Sequence, residues 1–89
     1  MIDVKKLSDR VFEVNIDDPA KTTHEVTIPE GYWESLTDKK ISREDLIRET
    51  FEFMLERQSQ EMILRKIDLL TVARNFPEYE MVIKRKIDS

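Results

Sequence analysis

The sequence predicts an α+β domain, in which an N-terminal antiparallel β-hairpin or three-stranded meander packs on three to four α-helices. Three observations support this class. Residues 1–28 alternate apolar and polar side chains, as strands do. Residues 29–76 carry apolar side chains at helical spacing, and those of residues 41–58 cover roughly half of a helical wheel. The length of 89 residues suits one domain with one core, spanning residues 1–89.

The β-rich segment contains two runs of clear alternation, residues 11–16 and residues 22–28. Pro19 lies between them; it fixes its own φ and biases the preceding residue away from the helical region. A turn is therefore expected there, and the two runs should form a hairpin. Ile2 and Val4 alternate upstream, and they offer a further strand that would extend the hairpin to a meander.

Two helices are predicted in the first half of the helical segment. Pro29 suits a first helical turn, so residues 29–36 are expected to form a short helix with Tyr32, Trp33 and Leu36 on one face. The central helix lies within residues 41–58, with Ser42 as its N-cap. The side chains expected in the core are Phe12, Val14, Val26, Ile28, Leu46, Ile47, Phe51, Met54 and Ile63.

The C-terminal third supports more than one interpretation. Residues 60–75 form one helix or two, the second case being a break at Asp68, which can act as an N-cap. Pro77 disfavours helix at the residue before it, which predicts a boundary there. Residues 77–89 alternate Tyr79, Met81 and Ile83, so they are expected to form a tail or an edge strand.

Composition excludes several kinds of chemistry. The chain has no Cys, so it has no disulfide, thiolate nucleophile or cysteine-based zinc site. Its single Gly argues against a glycine-rich phosphate loop, and no nucleophile elbow, HExxH, Walker or Rossmann motif occurs. We expect a non-enzymatic protein with no catalytic residue, no metal and no cofactor.

His24 is the only histidine. It could serve as a pH-sensitive contact or a metal ligand, since imidazole titrates near neutrality and binds metals. The favoured interpretation is a strand residue at the margin of the sheet, satisfied by a neighbour, because no second His or Cys is present to complete a metal site.

Charge and hydropathy predict the environment. No apolar run is long enough to span a bilayer and the N-terminus lacks the apolar core of a signal peptide, so a cytoplasmic protein without membrane contact is expected. The net charge of −4 disfavours non-specific nucleic-acid binding, which needs a basic face.

One stretch resembles a known family. Residues 23–58, THEVTIPEGYWESLTDKKISREDLIRETFEFMLERQ, resemble the ribbon-helix-helix repressors and antitoxins. The likeness lies in an alternating strand that ends in Pro, a first helix, a polar turn, and Ser-Arg-x-x-Leu-Ile-Arg opening the second helix. The whole chain, including FEFMLER and FPEYE, also resembles a group of small bacterial proteins without an assigned function.

The family resemblance implies a DNA-binding homodimer, whose strand pairs with that of a second subunit and enters the major groove. Carried over by position, Thr23, Glu25 and Thr27 would face the bases. The backbone amides of Ser42 and Arg43 would meet a phosphate, as helix N-termini do. Phe51 and Leu55 would lie in the dimer core.

Two functional hypotheses follow. The first is a ribbon-helix-helix-like regulator or antitoxin, whose C-terminal helices bind a protein partner. The second is a protein–protein adaptor that binds no nucleic acid and uses the Tyr32 and Trp33 region, or the charged face of the central helix, formed by Arg48, Glu49, Glu52 and Glu56. The wide apolar arc of the central helix also predicts a homodimer. The discriminating feature is whether strand 22–28 pairs across a two-fold axis or with residues 11–16 of its own chain.

Overall fold

A computed structural model describes residues 1–88 of the chain, and its sheet confirms the α+β class. Strands β1 (Ile2–Lys6), β2 (Val11–Ile16) and β3 (Thr22–Thr27) form an antiparallel meander. A fourth strand, β4 (Lys66–Asp68), lies parallel to β3 on its other side, so the order across the sheet is β1-β2-β3-β4. Of the two predicted arrangements, hairpin or meander, the structure has the meander.

Helix α1 (Tyr32–Thr37) and helix α2 (Arg43–Leu55) follow the meander. Helix α1 begins later than the predicted residue 29, because Gly31 has a φ of 77° and lies outside the right-handed helical region. The predicted cap of α2 is confirmed, since the Ser42 hydroxyl accepts a hydrogen bond from the Asp45 amide at 3.0 Å.

The segment after α2 corrects the prediction that residues 29–76 are helical. Residues 60–75 form neither one helix nor two; they form a 3₁₀ turn (Gln60–Met62), strand β4 and helix α3 (Leu69–Asn75). The break at Asp68 is confirmed, because its carboxylate accepts a hydrogen bond from the Thr71 amide at 2.9 Å and caps α3.

The prediction of a tail or edge strand for residues 77–89 is wrong over the residues that the structure describes. Helix α4 (Tyr79–Asp88) occupies this segment, and only Ser89 lies outside the described residues. Tyr79 and Ile83 are buried at a spacing of four, whereas Met81 is exposed. The side chains that pack inward therefore repeat with the helical period, and the alternation with Met81 is incidental.

The core lies between the inner face of the sheet and the helices. All nine side chains predicted for the core are buried. Helix α2 packs on the sheet, where the Phe51 ring lies 5.4 Å from that of His24. On its other flank the Phe53 ring lies 5.3 Å from Tyr79 of α4 and 5.5 Å from Phe76. The apolar arc of α2 is thus covered by its own chain.

Two short connections hold the helices together at the ends of α2. Near its N-terminus the Trp33 indole donates a hydrogen bond to the Ile41 carbonyl at 2.9 Å, which ties α1 to the loop before α2. Near its C-terminus the Arg57 guanidinium bonds to Glu78 at 3.0 Å, just before α4. Within residues 1–88 no helix has the length and apolar character needed to cross a membrane.

Candidate functional site

The three strand residues predicted to contact DNA lie on the outer face of the sheet. Thr23 and Glu25 are exposed and Thr27 is half-buried. The Thr23 hydroxyl donates a hydrogen bond to Asn15 Oδ1 at 2.7 Å. Glu25 stands directly opposite Glu13 across the β2–β3 ladder. Two carboxylates at the middle of this face oppose the approach of a phosphate backbone.

Strand β3 has both of its edges occupied within its own chain. It pairs with β2 from Val11↔Thr27 to Ile16↔Thr22. On its other side it pairs with β4, and the Glu25 amide donates to the Arg65 carbonyl at 2.6 Å. A ribbon formed with a second subunit would have to displace one of these neighbours.

The two helix residues predicted to contact phosphate lie away from that face. Ser42 and Arg43 are at the N-terminus of α2, which packs on the inner face of the sheet, whereas Thr23, Glu25 and Thr27 face outward. The Ser42 hydroxyl caps the helix, and the Arg43 guanidinium stacks 4.1 Å from the centre of the Trp33 ring. The structure does not bring the predicted contacts together on one surface.

The aromatic residues predicted for a protein interface make contacts inside the chain. Tyr32 and Trp33 are half-buried. The Tyr32 hydroxyl donates a hydrogen bond to Glu80 at 2.6 Å and links α1 to α4. Burial, together with this bond, raises the pKa of Tyr32. Phe51 is fully buried and Leu55 half-buried, so Phe51 belongs to the core of its own chain and is not a surface contact.

The charged face of α2 forms a shallow groove with α4. Glu49 lies 3.6 Å from Lys86. Burial, a hydrogen bond with Glu49 and the charge of Glu49 all raise the pKa of Glu52, while Lys86 and Arg48 act in the opposite direction. Among residues 1–88 no group of three His, Cys, Asp or Glu side chains is arranged to hold a metal ion.

His24 is held by a closed set of hydrogen bonds. Its Nδ1 lies 2.8 Å from the Leu64 carbonyl, and its Nε2 lies 2.9 Å from the Thr22 hydroxyl. A carbonyl only accepts, so Nδ1 donates to Leu64, and in the tautomer with its proton on Nδ1 the ring accepts at Nε2 from the Thr22 hydroxyl. His24 is therefore satisfied by neighbours, as the favoured interpretation predicted, but it lies buried on the interior strand β3 and not at the margin of the sheet.

The surface that sequence reasoning missed lies along β4. A groove of about 540 Å³ runs beside this strand; we call it the β4 groove and define it by Thr27, Leu64, Lys66 and Leu70. Leu64 is 62% exposed and Leu70 is 39% exposed. Two large apolar side chains thus stand in solvent at either end of a strand that forms an edge of the sheet.

Sequence reasoning missed Leu64 because it expected helical structure through residues 60–75. In a helix through residues 60–75, Leu64 would lie one position from Ile63, a predicted core residue, and would extend the apolar stripe around it. The segment instead passes through an extended conformation, which sends adjacent side chains to opposite faces. Ile63 is buried and Leu64 is exposed.

Comparison of the chain with protein-family models, with curated proteins and with solved structures yields no significant match. The functional argument therefore rests on the geometry of the chain itself.

Proposed function

We propose that this protein is a non-enzymatic binding domain that takes up an extended segment of a partner protein along the open edge of β4. The observation that carries the proposal is the exposure of Leu64 and Leu70 at the two ends of this strand. Exposed apolar side chains gathered at one place on a surface mark interaction sites more often than single scattered ones do.

The main chain of β4 supplies the polar part of such a site. The Glu25 amide donates to the Arg65 carbonyl, and Glu25 is in register with Lys66. In a parallel ladder alternate residues turn their N–H and C=O groups to opposite sides. Because the carbonyl of Arg65 faces β3, the N–H and C=O groups of Lys66 face the open edge. Among residues 1–88 no strand pairs with that edge. An added strand would complete these hydrogen bonds, as in β-augmentation.

The side chains of the β4 groove define the partner's chemistry. The Lys66 ammonium makes no ion pair with another residue of the described chain and lies between the two exposed leucines in sequence. Glu25 and Asp68 also line the groove, so its charges favour no single sign, and the segment that fits best is defined by apolar side chains that contact Leu64 and Leu70. The edge is only three residues long, so side-chain contacts with Leu64 and Leu70 supply most of the affinity.

A DNA-binding regulator is the competing proposal, supported by the resemblance of residues 23–58 to ribbon-helix-helix proteins. It would use Thr23, Glu25 and Thr27, and it requires β3 to exchange a partner from its own chain for a second subunit. The net charge of −4 and the carboxylates of the outer face weigh against it.

The experiment is a selection of displayed random peptides against the wild-type protein, followed by anisotropy measurements on the selected sequences. We expect the selected peptides to share apolar side chains that contact Leu64 and Leu70. Leu64→Asp and Leu70→Asp should each weaken binding at least about tenfold, as loss of a central apolar contact does. Met81→Asp is the matched control: Met81 is 52% exposed on α4, and its replacement should leave binding unchanged.

Three results would reject the proposal. One is a selection that yields no binder, and another is a set of binders that tolerate both leucine replacements. The third is a salt-dependent shift of the protein's own promoter fragment that Thr27→Ala and Arg43→Ala abolish, which would select the DNA-binding function instead.

A further inference from the structure

A second concavity lies near the start of β3, beside the 3₁₀ turn. Its volume is about 470 Å³, within the range of small-molecule sites. The side chains of Lys21, His24, Gln60, Glu61 and Arg65 contribute to its lining. We call it the Gln60 cavity. It is separate from the β4 groove and takes no part in the proposed peptide binding.

A directed chain of hydrogen bonds runs along one wall of this cavity. The Gln60 Nε2 group donates to the Ala20 carbonyl at 2.8 Å and to the Thr22 hydroxyl at 2.6 Å. Thr22 in turn donates to His24, which donates to the Leu64 carbonyl. Every polar hydrogen in this chain has an acceptor, and both hydrogens of the Gln60 amide are used.

One acceptor is left over. Gln60 is 4% exposed, and its Oε1 has no hydrogen-bond partner. Exchanging the oxygen and nitrogen of the amide would place Oε1 against the Ala20 carbonyl and lose the bond made there. A buried acceptor without a donor is unfavourable. Because Oε1 is itself closed to solvent, the Gln60 side chain must shift toward the cavity for an N–H or O–H group from outside the chain to reach it.

The charged side chains around the cavity indicate which other chemical groups a ligand with this N–H or O–H group would carry. Lys21 and Arg65 both line the cavity, and neither makes a hydrogen bond or ion pair through its side chain with the rest of residues 1–88. Glu61 supplies one negative charge to the lining, compared with the two positive charges of Lys21 and Arg65. An anionic group would pair with the cations, and an amino group would be favoured beside Glu61 and Gln60 Oε1.

We propose that the Gln60 cavity binds a small organic anion that also carries a hydrogen-bond donor, with the anionic group facing Lys21 and Arg65 and the donor on Gln60 Oε1. A phosphate or carboxylate joined to an amino group by a short linker satisfies both requirements. Arg65 is the main specificity residue, because its guanidinium can hold the anion with two parallel hydrogen bonds.

The test is a titration of the ¹⁵N-labelled protein followed by NMR, with phosphoethanolamine as the probe. Saturable shifts are expected at the amides of Thr22, His24, Gln60 and Arg65. Inorganic phosphate alone should bind more weakly and ethanolamine alone should not bind. Phosphocholine keeps both charges of the probe but has no N–H group. Its affinity should be at least about tenfold lower, since it leaves Gln60 Oε1 without a donor.

Arg65→Gln should weaken phosphoethanolamine binding at least about tenfold, as removal of a charge-assisted pair does. Arg65 is exposed, so the variant is expected to fold. Arg74→Gln, at an exposed arginine of α3 outside the cavity, is the matched control and should bind as the wild type does. Absence of saturable shifts would overturn the proposal. So would equal affinity for phosphoethanolamine and phosphocholine, or equal affinity of Arg65→Gln and the wild type.

Discussion

Phe51 is the residue at which the helix layer meets the sheet. Its side chain is fully buried and its ring packs against that of His24. Phe51→Ala should lower the free energy of unfolding by about 3–5 kcal/mol, because it removes a buried aromatic ring and leaves a cavity. Chemical denaturation measures this change. Met81→Ala, at an exposed site on α4, should alter stability by no more than about 0.5 kcal/mol, and a loss under about 1 kcal/mol for Phe51→Ala would contradict its core position.

Thr50 and Tyr79 form the one polar contact that joins α2 to α4 inside the described core. The Thr50 hydroxyl donates to the Leu46 carbonyl at 2.7 Å, so it accepts the bond from the Tyr79 hydroxyl, also at 2.7 Å. Burial raises the pKa of Tyr79, which keeps the phenol protonated as a donor.

Thr50→Val should lower the free energy of unfolding by about 1–3 kcal/mol, because the buried Tyr79 hydroxyl loses its acceptor. Tyr79→Phe removes that hydroxyl altogether and leaves Thr50 bonded to Leu46, so its effect should be smaller. Urea denaturation of the two variants and of the double variant gives the coupling energy between them. A larger effect for Tyr79→Phe than for Thr50→Val would contradict this assignment of donor and acceptor.

At the scale of elements, the seam between α2 and α4 contributes a pH dependence through Glu52. The folded state raises the pKa of this carboxyl, chiefly through burial and then through Glu49. Its unfolded-state pKa is about 4.3. As pH rises from that value through the folded-state pKa, the folded chain holds more protons than the unfolded chain. The free energy of unfolding attributable to Glu52 therefore falls over this window.

Glu52→Gln should remove that fall, so the difference in stability between the variant and the wild type should grow as pH rises from about 4 toward neutrality. Glu78 changes the pH dependence of stability in the opposite direction, because a main-chain hydrogen bond and Arg57 lower its pKa. Both proteins contain Glu78, so its contribution cancels in the difference between the variant and the wild type. Denaturation at a series of pH values measures the difference. Glu30→Gln, at an exposed turn residue, is the control, and a pH-independent difference for Glu52→Gln would refute the role of this carboxyl.

The elements that sequence reasoning assigned correctly carry strong local signals. Residues 43–55 have a capping serine and a broad apolar arc, and residues 11–16 alternate without interruption. Strand β4 carries no such signal, because three residues are too few to display a period. The segment of helix α4 was assigned to a tail or edge strand because its pattern fits both the two-residue period of a strand and the helical period. Only the packing of Tyr79 and Ile83 distinguishes the helix from the strand.

At the scale of the whole molecule, the pairing of β3 within one chain can be tested by a cross-link. The amide of Ile28 donates to the carbonyl of Arg10, which makes Asn15 and Thr23 a non-hydrogen-bonded pair, the closer of the two kinds. The natural chain has no Cys. The double variant Asn15→Cys and Thr23→Cys should therefore oxidise to an intrachain disulfide, observed as a monomer on a non-reducing gel with a mass two hydrogens lower.

The matched control is Asn15→Cys with Thr27→Cys. It uses the same two strands but places the thiols four residues out of register, beyond the reach of a disulfide. Interchain-linked dimers of the Asn15 and Thr23 pair, without the intrachain product, would contradict the pairing of β2 with β3 within one chain.

The two proposed binding regions lie at opposite ends of the contact between β3 and the segment that leads through β4. The Gln60 cavity involves residues 21–24 of one segment, and the β4 groove begins at residue 25. Both depend on residues 60–71, the part of the chain whose conformation sequence reasoning assigned wrongly. The predicted site residues Glu25 and Thr27 line the β4 groove. Leu64, Gln60 and Arg65 came only from the structure.

By itself, the sequence determined the hairpin of β2 and β3, the capped central helix and the nine core positions, because alternation, capping and helical spacing act between residues close along the chain. Only the tertiary structure decided that β4 pairs with the edge of β3 that β2 leaves open. It also decided that residues 79–88 are helical and that Leu64 and Leu70 face solvent. Those outcomes depend on contacts between segments distant in sequence, where burial against a particular partner outweighs the weak local preference of a short segment.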